Sequence, residues 1–242
     1  MASPLSSRIK ILQIPNGLEH NVVQVLAQKL SVLRLEALLI SPSTFTANHA
    51  TEAAFPASRW EERILDPRAR HSIAVVCSPS EVTDQPEAQS SLDHVVQALL
   101  DGTWVGNLVL VGPSPPSTTA APTTRIESAE AASEQPIPEY HLNGMFVAPS
   151  HRGLGLGTRL VDSALQDLAG SLREQEGKRA RVNLIVTEEN DLARRMYEKC
   201  GFVLEGGTRR GFADVGEAGG LRRTVKMTRM VEAGQGEVQN SC

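Results

Sequence analysis

The feature that most constrains this chain is VAPSHRGLGLGTRL, Val147 to Leu160, an apolar segment that passes through three alternating glycines into a helical pattern. Glycine admits positive φ and removes the side chain that would keep a ligand away, so such a loop brings main chain close to something. Backbone N–H groups at a helix start have no intrahelical acceptor and carry partial positive charge, which suits an anion. Two well-known phosphate cradles fail on spacing. A nucleoside-triphosphate loop has Gly-x-x-x-x-Gly-Lys-[Ser/Thr], and no lysine follows Gly157 here. A dinucleotide fingerprint is G-x-G-x-x-G, whereas Gly153, Gly155 and Gly157 run G-x-G-x-G. With the Arg152 guanidinium at its entrance, the loop suits a diphosphate; a tight turn that uses glycine for shape alone is the other reading.

The flanking pattern predicts an α+β chain. YHLNGMFV ahead of the loop reads as a strand, and GTRLVDSALQDLAGSLREQ after it as an amphipathic helix with Leu160, Val161, Ala164, Leu165, Leu168 and Leu172 on one side. RVNLIVT follows as a strand rich in β-branched residues, and a strand–helix–strand unit of this length implies a parallel pair. NDLARRMYEKCG is a short helix with Asn190 or Asp191 as N-cap and Gly201 at its stop, and GFVLEGG and LRRTVKMTRMV are two closing strands. Upstream, RIKILQI, HSIAVVC and TWVGNLVLVG carry strand signals. Helical spacing runs through Leu18, Val22, Leu26, Leu30 and Leu33, with further helices around Ala57 to Ile64 and in LDHVVQALL.

The 242 residues suffice for one domain, placed at 1–231. The Pro-, Ser-, Thr- and Ala-rich stretch 113–138 has Ile126 and Ile137 as its large apolar residues, too few to offset ordering, and predicts a disordered insertion; 232–242 predicts a flexible tail. A formal charge of −4 and 4% aromatic residues argue against a nucleic-acid partner. No apolar run approaches a membrane span, and the N-terminus has no secretory pattern. Three widely spaced cysteines without Cys–His clustering predict no metal site and a reducing location, cytoplasmic or nuclear, with Cys77 and Cys200 as core fillers.

RGLGLG resembles the [Arg/Gln]-x-x-Gly-x-[Gly/Ala] signature of the GNAT acetyltransferases, which bind acetyl-CoA. NGMFVAPSH is similar to their fourth strand. VTEENDLARRMYEKCGF carries the family's Asn, Ala, Tyr-x-x-x-Gly-Phe order in Asn190, Ala193, Tyr197, Gly201 and Phe202. The segment ending in Trp60 and Arg63 resembles, more loosely, the acceptor side. The resemblance implies a mixed, mostly antiparallel sheet of six or seven strands with splayed central strands and flanking helices. It implies an N-acetyltransferase that moves an acetyl group from acetyl-CoA to a primary amine, small or peptidic, directly within a ternary complex. A non-catalytic acyl-CoA-binding or sensing module on the same fold is the alternative, and the family's frequent dimers leave a homodimer open.

The same resemblance implies roles. The pyrophosphate would rest on the amides of Arg152, Gly153, Leu154, Gly155, Leu156, Gly157 and Thr158. The pantetheine arm would meet the backbone of Met145, Phe146 and Val147, with Asn190 on its other side. An N–H near Met145 would hold the oxyanion, and Tyr197 would protonate the leaving thiolate. The base would be a Glu or His near the start of the fourth strand, here Glu139 or His141. By period-two alternation Glu139, His141 and Asn143 share one face, as do Met145 and Val147. Glu52 reads as a solvated helix charge, with attraction of a cationic acceptor as its alternative.

Overall fold

The computed structural model describes residues 8–45, 47–77, 92–114, 137–173, 179–211 and 222–233. The elements are β1 (Ile9–Gln13), α1 (His20–Ile40), α2 (His49–Ala53), α3 (Ala57–Leu65), β2 (Ala69–Val76), α4 (Leu92–Asp101) and β3 (Thr103–Ser114). They continue with β4 (Glu139–Val147), α5 (Leu156–Arg173), β5 (Arg179–Thr187), α6 (Asp191–Lys199), β6 (Val203–Gly211) and β7 (Arg222–Glu232). Strand pairing sets two boundaries of the sequence reading differently: Ser114 pairs with Glu139 and Glu232 with Arg179, so both residues belong to strands. Most of the expected insertion, 115–136, and of the tail, 234–242, lies outside the described residues.

All seven strands form one sheet in the order β1-β2-β3-β4-β5-β7-β6. Every pairing is antiparallel except β4 with β5. The parallel pair is joined by the α5 crossover, as the strand–helix–strand spacing requires. The fold class expected from the sequence is the one observed, with seven strands.

Period-two alternation assigns the two faces of the sheet to different helices. On one face Ser72 accepts from Gln13 Nε2 at 2.8 Å, and the same nitrogen donates to Ser163 of α5 at 3.1 Å. On the other, the adjacent His71 meets the Arg63 carbonyl of α3. Helix α5 buries Leu156, Leu160, Val161, Ala164, Leu165 and Leu168 against the first face, each leucine contributing about 1.5–3 kcal/mol. Across the sheet, α1 buries Val23, Leu26, Leu30, Leu33 and Ala37 and packs on α3. The two faces thereby take different work: α5 anchors the glycine loop, and α1 and α3 wall a cavity. No helix among the described residues is long and apolar enough to cross a membrane.

Candidate active site

The glycine loop uses its three small residues differently. Gly153 and Gly155 have φ of +79° and +71°, a region costly for residues with a Cβ, and a Cβ on either would meet nothing within 4 Å. They turn the chain and leave open space in front of it. Gly157 lies inside α5, and a Cβ there would sit 2.6 Å from Met196 Sδ, so its role is close approach of α5 to α6. Arg159 N donates to Gly155 O at 3.1 Å, so the N–H groups of Leu156, Gly157 and Thr158 precede the first full helical bond and point out of the helix end. Arg152 is exposed and folds its Nε onto the Val147 carbonyl at 3.0 Å, which stations its charge at the junction of β4 and the loop.

Next to this loop the sheet opens. β4 pairs with β5 only at Glu139↔Arg181, Tyr140↔Val182 and His141↔Asn183, and the ladder ends there. The backbone from Asn143 to Val147 therefore has its β5-facing edge out of the ladder, beside the α5 N-terminus. Against β3, residues 143 to 146 of β4 span 107 to 109, one residue more on the β4 side. This bulge sits at Gly144, whose φ is +64°. It corrects the simple alternation expected along the strand: Asn143 and Phe146 are opposite Val109 and Asn107 on one face, while Met145 reaches α5, its Cε 3.4 Å from where a Cβ on Gly157 would lie.

Tyr197 lies on α6, buried edge-on against Phe202 with ring centroids 5.8 Å apart. Burial, reinforced by the neighbouring Cys200, pushes its phenol well above the ordinary tyrosine range, so it keeps its proton across the physiological range. Asn190 is the N-cap of α6: its side-chain oxygen accepts from Ala193 N at 3.1 Å. Cys200 is buried, and burial with the nearby Asp162 pushes its thiol up to about 11, so it is not a thiolate at neutral pH. Glu139 accepts from Arg181 and from Asn183 Nδ2, both at 3.3 Å, which ties it to the closed end of the β4–β5 pair. His141 is the last β4 residue paired with β5.

A cavity of about 430 Å³ opens on the α1–α3 face, with walls from Leu30 and Arg34 of α1, Arg63 of α3, His71, Asn107 and the bulge residues Asn143 and Gly144. Its rim carries Arg59, Glu62, Asp66 and Arg68, joined in pairs: Arg59 to Glu62 at 2.7 Å and Arg68 to Asp66 at 3.0 Å. Behind the wall, Glu52 overturns the expectation of a solvated charge. It is 3% exposed and accepts from Arg34 at 2.9 Å and Arg63 at 2.8 Å. Burial pushes its carboxyl up, but the bonds and charges of the two guanidiniums outweigh that and hold it below its ordinary value. Packing of α2 on α1 buries this residue despite the shortness of its helix.

Sequence reasoning missed two polar residues on this wall. His71 and Asn107 are 4% and 2% exposed, and His71 Nδ1 and Asn107 Oδ1 have no hydrogen-bond partner among the described residues. Such orphaned atoms cost about 1–3 kcal/mol each and call for an explanation. The signal available was one histidine inside the apolar run HSIAVVC and one asparagine inside TWVGNLVLVG.

Comparison with known proteins bears on the family and the fold. The sequence model of the acetyltransferase (GNAT) family matches residues 60–202, more than half of the chain. N-alpha-acetyltransferase 40 of Saccharomyces cerevisiae is 38% identical over 80 residues, which cover 33% of this chain and 28% of that protein's length. Spermidine N-acetyltransferase from Vibrio cholerae, solved with CoA and spermine, superposes with a TM-score of 0.53 at 16% identity, covering 93% of this chain and 96% of that one. Arabidopsis thaliana NAA60, in complex with a bisubstrate analogue, gives 0.51 at 13% identity over 83% and 95% of the two chains. At these identities the two structures share the fold.

Proposed function

The chain belongs to the acetyltransferase (GNAT) family, and we propose that it is an N-acetyltransferase moving an acetyl group from acetyl-CoA to the α-amino group of a peptide or protein. The observation that carries this reading is a junction of three features: the unladdered β4 edge, the glycine loop at the start of α5, and a cavity that reaches the Gly144 bulge from the other face. The open space before Gly153 and Gly155 and the outward amides of α5 fit a pyrophosphate. The free edge from Met145 to Val147 fits an amide-containing arm, which can pair with it as a strand would. Acetyl-CoA supplies the activated thioester; the chain holds it, donates to the carbonyl oxygen from the backbone near Met145, and moves protons. A donor of that kind contributes about 3 kcal/mol to lowering the barrier.

Tyr197 would protonate the departing thiolate, and its raised phenol pKa keeps that proton available. Asn190, beyond its capping bond, would face the arm from α6. Glu139 and His141, at the end of β4 that pairs with β5, would serve proton movement. Transfer would be direct, because Cys200 is held as a thiol and Cys77 is buried on the far part of the sheet. The preference for an α-amine draws on the name of the yeast relative, matched over about a quarter of its length. Chemistry favours it too: an α-amine with pKa near 7.8 is roughly a tenth neutral at pH 7, against less than about 0.1% for a lysine side chain.

The test is a panel of amines with acetyl-CoA, followed by release of free thiol and by mass spectrometry of the acceptor. We expect thiol release that depends on a peptide with a free N-terminus and yields that peptide acetylated. Tight binding of acetyl-CoA with no amine accelerating thiol release would instead favour a sensing module on the same fold. An acetyl-cysteine that forms and turns over would overturn direct transfer.

A further inference from the structure

His71 Nε2 lies 2.9 Å from the Arg63 carbonyl oxygen. A carbonyl only accepts, so Nε2 carries the hydrogen, and in the neutral ring the lone pair belongs to Nδ1. That Nδ1 is buried without a partner among the described residues, and so is Asn107 Oδ1. The two residues are neighbours on one face of the sheet, since Asn107 is opposite Ile73 and Val109 opposite His71. Both line the cavity whose far wall is Asn143 and Gly144, where β4 leaves β5. Two unpaired atoms that can accept, on one wall of the cavity, match a group that brings N–H bonds.

We propose that His71 and Asn107 form the seat of the acceptor's amino group, with His71 Nδ1 receiving its proton as the acetyl group is transferred. This rests on the N-acetyltransferase reading above and adds the residues that touch the amine. The seated ammonium gives one proton to Nδ1, the freed amine bonds to the thioester carbonyl carbon, and the nitrogen loses its second proton to solvent as the carbon–sulfur bond breaks. The departing thiolate takes a proton from Tyr197; the imidazolium then releases its proton to solvent, from which the phenol is restored.

The charged groups facing the ring are Arg34 on α1, Arg59, Glu62 and Arg63 on α3, and Asp66 and Arg68 beyond it; the β3 and β4 residues of the cavity are uncharged. Burial lowers the basicity of His71 and the Arg63 charge lowers it further, against the bond to the Arg63 carbonyl and the Asp66 charge. The ring is therefore neutral at neutral pH, with the lone pair on Nδ1. A weak base is matched to a weakly held proton, and an α-ammonium holds its proton less firmly than a lysine by about 2.5 pKa units.

His71→Gln tests this, because an amide N–H can keep the bond to the Arg63 carbonyl while the Nδ1 lone pair is lost. With a free-N-terminus peptide we expect kcat to fall about 100-fold, with acetyl-CoA affinity and melting temperature close to wild type. Log kcat should be flat above pH 7 in the wild type; in the variant it should rise by about one per pH unit until the amine's own pKa near 7.8. Asn107→Leu should raise the peptide KM about tenfold, a weakening typical of one lost hydrogen bond. If the wild type transfers acetyl and His71→Gln matches it in rate and profile, the seat is wrong while the enzyme reading stands. If the wild type transfers to no amine, both fall. Should His71→Gln fail to fold, Asn107→Leu decides, and an unchanged KM overturns the proposal.

Discussion

Glu52 is one carboxylate shared by two guanidiniums inside the wall of the cavity. Removing its charge leaves Arg34 and Arg63 facing each other uncompensated, so Glu52→Gln should destabilise the fold. Arg63 is 34% exposed in its side chain, which places the loss at the lower end of about 3–5 kcal/mol. Urea denaturation measures it. Because the folded carboxyl is held below its ordinary value, its stabilisation is full above the unfolded pKa of about 4.3 and is lost as pH falls through the lower folded value. Wild type and variant should therefore converge in denaturation midpoint toward acid pH; a gap that widens as pH falls would contradict this. Tyr197 gives the catalytic counterpart. Tyr197→Phe should lower kcat by about 100-fold or more while leaving acetyl-CoA affinity unchanged in calorimetry. The raised phenol pKa predicts no decline in wild-type rate as pH passes 10, where an ordinary tyrosine would lose its proton. Tyr197 could be picked out in the sequence because Tyr-x-x-x-Gly-Phe is a local pattern, whereas the burial of Glu52 is made by residues 18 and 11 positions away.

At the scale of elements, the strand–loop–helix unit from β4 to α5 was legible because conformation itself demanded the glycines. Gly153 and Gly155 announce positive φ, and the apolar spacing of α5 announces which side meets the sheet. The bulge at Gly144 was not legible: a single glycine in NGMFV marks several outcomes, and only the register with β3 shows an extra residue there. The same distinction separates two substitutions. Gly155→Ala places a Cβ at φ +71° where no atom blocks it, so the penalty is conformational, about 1–2 kcal/mol. It should lower the melting temperature by several degrees and weaken acetyl-CoA binding at least tenfold, since the methyl group enters the space the loop keeps open. Gly157→Ala keeps helical geometry and gains about 1 kcal/mol of helix propensity, but must displace Met196 Sδ from 2.6 Å. The thioether can swing aside, so that variant should melt near wild type and carry its defect in kcat, through the α6 turn that holds Tyr197. Melting curves paired with acetyl-CoA titrations separate the two.

Across the whole molecule, the sheet is built as a firm half and an opened seam. β5 and β7 pair without interruption from Arg179↔Glu232 to Thr187↔Thr224, while β4 holds β5 over three residues and then departs. The sequence conveyed the parallel crossover, because a helix of that length between two strands leaves little choice. The cavity wall was out of reach, since it is assembled from α1, α3, β2, β3 and β4, none of which pairs locally with the others' side chains. Solitary polar residues in apolar strands, His71 and Asn107, acquire meaning only once the strands are aligned. Two free-standing surfaces meeting at one seam make a specific dynamic expectation. Amides on the unladdered β4 edge and at the α5 N-terminus have no backbone acceptor among the described residues to slow their exchange, and a bound pantetheine and pyrophosphate would supply one. Hydrogen exchange should therefore show protection gained on adding acetyl-CoA around Met145 to Val147 and Gly153 to Thr158. The β5–β7 ladder should be slow with or without it. Protection spread evenly over the sheet, or confined to the α1–α3 cavity, would mean that the seam is not where the thioester is held.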